Sequence, residues 1–115
     1  MAYRTQDYAK PDGRLSRNGT FLQAILDVGY SDLVTLFGEP NCLKIDSYKT
    51  DAEWVLRTPA GVATIYNYKT GSNYLGEKGL GVQDIRDWHV GGGNYHVFGW
   101  VEAMLEVAGI DFLIK

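Results

Sequence analysis

The stretch from Asp51 to Lys69, DAEWVLRTPAGVATIYNYK, decides the fold class. Over Asp51 to Thr58 the residues alternate, with Ala52, Trp54 and Leu56 on one face and Glu53, Val55 and Arg57 on the other. Thr58-Pro59-Ala60-Gly61 then supplies a turn, and VATIYNYK resumes the two-residue period. Two β-rich runs separated by a Pro/Gly turn predict an antiparallel hairpin. In its second strand Val62, Thr64, Tyr66 and Tyr68 oppose Ala63, Ile65, Asn67 and Lys69. Apolar residues occupy both faces near the turn, which predicts an interior strand whose far end opens onto solvent or a ligand.

Working outward, TFLQAILDV (Thr20 to Val28) alternates Leu22, Ala24, Leu26 and Val28 on one face, although Phe21, Ile25 and Val28 also suit one side of a helix. A strand is the favoured reading. Ser31 offers an N-cap to a two-turn helix ending at Phe37, stopped by Gly38 and Pro40. Past the hairpin, TGSNYLGEKGL (Thr70 to Leu80) is a glycine-punctuated loop, Val82 to Arg86 fits one helical turn, and Asp87 to Val90 reads as a short strand ending in Gly91-Gly92-Gly93. Asn94 caps a predicted C-terminal helix to about Ala108, with Val97, Val101, Met104, Leu105 and Ala108 along one stripe and Gly109 at its end. The expected fold is α+β: a small, mostly antiparallel sheet with a short helix and a C-terminal helix packed on it. The 115 residues fit one domain, residues 1–115, with 1–17 as an N-terminal arm or edge segment.

Composition excludes several function classes. A net charge of −3 argues against non-specific binding to duplex DNA, which depends on many Lys and Arg contacts to phosphates. The one cysteine, Cys42, forms neither an intramolecular disulfide nor a Cys-rich zinc site. No signal peptide and no run of membrane-spanning length is legible, so the expected location is the cytoplasm. Two histidines and scattered carboxylates make no metal motif, and no cofactor is expected. Tyrosines stand out: eight, beside three Trp and four Phe. A Tyr ring is apolar but its hydroxyl needs a partner, which suits a wet binding surface.

Two constellations could carry a ligand. Tyr66, Asn67, Tyr68, Lys69, Asn73 and Tyr74, with Trp54 and Lys49 nearby, combine flat rings for stacking, amides for a base edge and a cation for phosphate. The alternative is that Trp54 and Tyr66 belong to the core. Asp87-Trp88-His89-Val90-Gly91-Gly92-Gly93 enters a helix through glycines, where free backbone amides favour an anion or where the glycines simply make a flexible turn. It is neither a P-loop nor a Rossmann fingerprint. His89 reads as a hydrogen-bonding or ligand-contact residue; a catalytic pair with Asp87 lacks a recognisable nucleophile.

The segments GTFLQAILDVGYSDLVTLFGEPN, YKTDAEWVL and GVATIYNYKTGSNYLGEKGLGVQDIRDWHVGG together resemble a family of small bacteriophage-encoded proteins over about Gly19 to Gly93. The family looks like the viral sponge proteins that sequester nucleotide immune signals, such as the cyclic dinucleotides of CBASS or the cyclic ADP-ribose derivatives of Thoeris. The resemblance implies a non-enzymatic binder in the cytoplasm of an infected bacterial host, with a small nucleotide ligand, cyclic dinucleotide or cyclic ADP-ribose derivative, as partner. Local chemistry assigns Tyr66, Tyr68, Tyr74 and Trp88 to stacking, Asn67 and Asn73 to polar edges, Arg14, Lys49 and Lys69 to phosphates, and His89, Gly91 and Gly92 to further ligand contacts. A domain this small that must enclose a ligand is expected to be a homo-oligomer. Two alternatives come from other classes. One is a protein-blocking inhibitor such as an anti-CRISPR, using acidic Asp84, Asp87, Glu102 and Glu106. The other is a nucleotide-degrading enzyme using His89 and Asp87.

Overall fold

A computed structural model describes residues 19–40 and 50–115; Arg14, Cys42, Lys49 and the arm 1–17 lie outside the described residues. The elements run β1 (Phe21–Asp27), α1 (Tyr30–Phe37), β2 (Glu53–Thr58), β3 (Gly61–Tyr66), α2 (Ser72–Leu75), two single 3-10 turns (Gly76–Lys78 and Val82–Asp84), β4 (Asp87–Gly92), α3 (Tyr95–Val107) and β5 (Leu113–Ile114). The five strands form one sheet in the order β2-β3-β4-β1-β5, and every pairing within it is antiparallel. This is the small α+β fold expected from the sequence.

The hairpin closes where its turn residues require. Thr58 pairs with Gly61 across Pro59-Ala60, and the Thr58 hydroxyl both donates to the Gly61 carbonyl (2.6 Å) and accepts from the Ala60 amide (3.1 Å). Gly61 has φ 123°, a conformation a side chain resists. β3 sits between β2 and β4, as its two apolar faces predicted, but it ends at Tyr66 instead of running on to Lys69. Asn67 ends it: its side-chain carbonyl takes the amides of Asp51 (2.8 Å) and Ala52 (3.1 Å), the partners a longer ladder would have used.

One sheet face meets the helices. Trp54, Leu56, Ala63, Ile65, Trp88, Val90 and Leu26 join Leu33 and Phe37 of α1 and Val97, Trp100, Val101, Met104 and Leu105 of α3 in one core. Tyr30 lays its ring beside Trp54 and Trp88, 5.7 and 6.0 Å between centroids, while the two indoles meet edge to face at 5.4 Å. Each indole N–H finds a carbonyl: Trp54 donates to Gly38 (2.8 Å) and Trp88 to Ile85 (3.1 Å). Packing Tyr30 in the first turn of α1 starts the helix ahead of the expected Ser31 cap, with Gly29 at the N-cap position.

Three further expectations change. A bulge between Leu22 and Ala24 breaks the alternation of β1, so Ala24 and Leu26 share the helix side while Leu22 turns away and is 51% exposed. Ala108 is exposed instead of completing the α3 stripe, whose buried members include Trp100. The two-residue β5 was not foreseen; it pairs with Leu26 and Asp27 of β1. The ends of α3 match expectation, with the Asn94 side chain accepting from the His96 amide (3.0 Å) and Gly109 left-handed at φ 73°.

Gly92 explains how α3 reaches the sheet. A Cβ at this position would lie 2.7 Å from the Val97 Cβ, so the glycine permits close approach of helix to strand. Gly92→Ala therefore overpacks a rigid contact and is expected to cost about 1–3 kcal/mol in urea unfolding. Wild-type stability in this variant would show that the contact has room.

Candidate functional site

The face of the sheet turned away from α3 carries a cross-strand row. Register places Glu53 of β2 opposite Tyr66 of β3, Tyr66 opposite His89 of β4, and His89 opposite Ile25 of β1. Strand alternation sends all four side chains to the same side. The His89 ring lies 5.3 Å from the Tyr66 ring and 5.5 Å from the Tyr68 ring. Neither ring nitrogen of His89 meets a hydrogen-bond partner among the described residues.

Tyr68 links this row to a second cluster. Beyond β3 the chain turns sharply at Lys69, whose φ of 60° makes it the one non-glycine residue with positive φ among the described residues. The turn brings the Lys69 ammonium over both the Tyr68 ring (5.2 Å) and the Tyr74 ring (5.3 Å). No carboxylate pairs with Lys69 among the described residues. Tyr68 and Tyr74 are 40% and 41% exposed. Two aromatic faces thus hold a cation at the surface, each contact worth about 0.5–1 kcal/mol at exposed sites.

Electrostatics follow from this packing. Burial lowers the His89 pKa from its ordinary 6.5, with the Asp87 carboxylate pulling the other way. Tyr66 is raised from 10.0 by burial, then by Glu53 and Tyr68. Around the tyrosines the surface sets the Lys69 ammonium near an imidazole whose neutral form burial favours.

The structure brings together Tyr66, Tyr68, Lys69, Tyr74 and His89 from the set expected to bind. Others take different work. Trp88 is fully buried between Tyr30 and Trp54 and cannot stack a ligand. Asn67 is fully buried too, with its amide nitrogen donating to the Asp51 carboxylate (2.9 Å) and the Thr70 hydroxyl (3.3 Å), so it reads no base edge. Asn73 lies at the rim, but its side-chain nitrogen donates to the Thr50 carbonyl (2.9 Å) and its backbone amide to Asp51 (3.2 Å). Gly91 and Gly92 are buried within β4 instead of forming an anion-binding loop: a Cβ on Gly91 would meet the Thr64 hydroxyl at 2.5 Å, and Gly92 faces Val97. Arg14 and Lys49 lie outside the described residues.

Two residues at the site escaped the sequence reading. Glu53 is 5% exposed beside Tyr66, and the hairpin register counted from Thr58 and Gly61 would have found it. Asp51 organises the loop after β3 by accepting from Asn67, Ser72 and Asn73. Asp87 is ion-paired with Lys115 and makes no hydrogen bond to His89. It also lies on the opposite side of the sheet from α3, which carries Glu102 and Glu106. Among the described residues no three His, Cys, Asp or Glu gather to hold a metal ion, and no helix is long and apolar enough to cross a membrane. A depression of about 360 Å³ lies elsewhere, lined by Asp27, Arg86, Asp111, Phe112 and Leu113 and by none of the tyrosines. Comparisons with family models, with curated proteins and with solved structures found no match.

Proposed function

We propose that the protein is a non-enzymatic binder of a small anionic nucleotide, a phage-encoded sponge for a cyclic nucleotide-type immune signal. The observation that carries this reading is Lys69, an ammonium without an acidic partner among the described residues, lying over the exposed rings of Tyr68 and Tyr74 beside Tyr66 and His89. A phosphate pairs with the ammonium while a base stacks on a neighbouring ring. The left-handed backbone at Lys69 costs a side-chain-bearing residue about 1 kcal/mol or more, and such conformations cluster where a ligand is clamped. The surface is open, and a second copy of the chain would supply the other wall of a pocket.

Thermal-shift and calorimetric titrations with cyclic di-AMP, cyclic di-GMP and cyclic ADP-ribose test the reading. The expected result is stabilisation by at least one of them and recovery of the ligand intact after heat denaturation. Hydrolysed ligand would favour an enzyme, and no shift with any of them would overturn the reading. Lys69→Gly separates function from stability. Glycine accepts φ 60° without strain, so the variant is expected to stay within about 1 kcal/mol of wild type. It should nonetheless bind at least about tenfold more weakly, a loss of about 1.4 kcal/mol. Tyr68→Ala should weaken binding similarly, having lost the ring shared by Lys69 and His89. Unchanged affinity in both folded variants would move the site elsewhere.

A further inference from the structure

We infer that His89 is the second anion contact of this surface and that ligand binding there takes up a proton. The inference rests on the proposed nucleotide-binding reading and specifies the chemistry of one of its contacts. The imidazole is half-buried in the open face of the sheet, against the Tyr66 and Tyr68 rings. A histidine confined like this commonly spends at least one ring nitrogen on a neighbour, yet no described residue hydrogen-bonds to either nitrogen. The Tyr68 ring lies 5.5 Å from the His89 ring and 5.2 Å from the Lys69 ammonium, so a ligand bound at Tyr68 has both within reach.

The groups facing His89 explain why the free protein leaves the ring uncharged and why an anion would charge it. On β3 and just beyond it stand the phenol rings of Tyr66 and Tyr68. β1 presents Ile25 directly opposite. On its own strand Asp87 is the nearest carboxylate by sequence, but it is tied to Lys115. Glu53 lies one strand further away, beside Tyr66. No carboxylate among the described residues hydrogen-bonds to the imidazole, and burial outweighs the pull of Asp87, so the free site favours the neutral ring. A phosphodiester brought against it supplies the missing negative charge. That charge raises the imidazole pKa in the complex above its value in the free protein, and by linkage affinity rises as pH falls.

Calorimetry with the cyclic dinucleotide or cyclic ADP-ribose that binds, repeated at about pH 8, 7 and 6, reads this directly, since His is the one side chain that ordinarily titrates across that interval. Kd is expected to fall about three- to tenfold from pH 8 to pH 6, with net proton uptake in buffers of different ionisation enthalpy. In His89→Gln, which keeps a polar side chain of similar reach, the pH dependence should vanish while Lys69-dependent binding persists. Proton NMR of the wild type adds a readout independent of the variant's affinity: the His89 imidazole signal, assigned by its loss in His89→Gln, should titrate at higher pH with ligand than without it. Binding that is independent of pH, or equally pH-dependent in His89→Gln, overturns the inference and leaves the nucleotide reading standing. Absence of binding at every pH overturns both.

Discussion

Trp88→Ala is expected to lower the free energy of unfolding by about 3–5 kcal/mol, a large share of the stability of a domain this size. The indole is fully buried, packs edge to face on Trp54 and flat beside Tyr30, and donates to the Ile85 carbonyl. Alanine removes the apolar volume, leaves a cavity bounded by rings that cannot collapse freely, and deprives the Ile85 carbonyl of its donor. Trp88→Phe keeps most of the volume and loses only the donor and part of the ring, so its cost should be well under that of alanine. Urea unfolding of the two variants measures both. A loss below about 1 kcal/mol in Trp88→Ala would show that the indole is not in the core, and would reopen a stacking role for it. Trp88→Phe is also the variant in which ligand binding can be tested with the fold intact, and binding should survive it.

The hairpin and both long helices were legible because their signals are local. Thr58-Pro59-Ala60-Gly61 sets its own register, Asn94 caps the first turn of α3, and Gly38 and Gly109 end helices through backbone conformations that glycine tolerates. β5 was not legible: two exposed residues carry no period, and only Leu26 and Asp27, some ninety positions away, make them a strand. The bulge in β1 was hidden for a related reason, since Leu22 continues an unbroken alternation in sequence and leaves it only in the pairing with Gly91.

The binding surface divided along the same line. Tyr68, Lys69 and Tyr74 are close in sequence, and their gathering at the exit of β3 could be anticipated from the end of the alternation. Their union with His89 depends on β3 pairing with β4, which no local pattern states. Trp88 and His89 are adjacent on one strand, and alternation requires them to face opposite sides. Composition alone made both look like ligand contacts; the side occupied by α1 and α3 decides that Trp88 is core and His89 is surface. The glycines misled too: the run before the helix reads as an anion loop or as a flexible turn, whereas the approach of Thr64 to Gly91 and of Val97 to Gly92 makes both close-packing positions.

Asn67→Ala carries the second large expected effect, about 2–4 kcal/mol, although the sequence marks this residue as a ligand reader. Its side-chain oxygen is the acceptor for the Asp51 and Ala52 amides, and its nitrogen donates to Asp51 and Thr70. Alanine leaves at least one buried amide without an acceptor and releases the Asp51 carboxylate that also holds Ser72 and Asn73. Asn67→Asp sharpens the test. It restores an acceptor for the two amides but sets a carboxylate against Asp51, so one of the pair must resist ionising. A carboxyl whose pKa is raised by folding contributes stability below its unfolded pKa and loses it as pH rises through the folded value. The aspartate variant should therefore lie closer to wild type near pH 4 than at pH 7, whereas the deficit of Asn67→Ala should show no such recovery. Hydrogen exchange should report faster exchange at the Asp51 and Ala52 amides in the alanine variant. A cost under about 0.5 kcal/mol with unchanged exchange would show that the network is not built on this residue. Because the loop fixed by Asp51 positions Tyr74 over Lys69, the same variant should also loosen the aromatic clamp. Weaker ligand binding by Asn67→Ala is thus the expected consequence of a displaced ring, without any contact between Asn67 and the ligand.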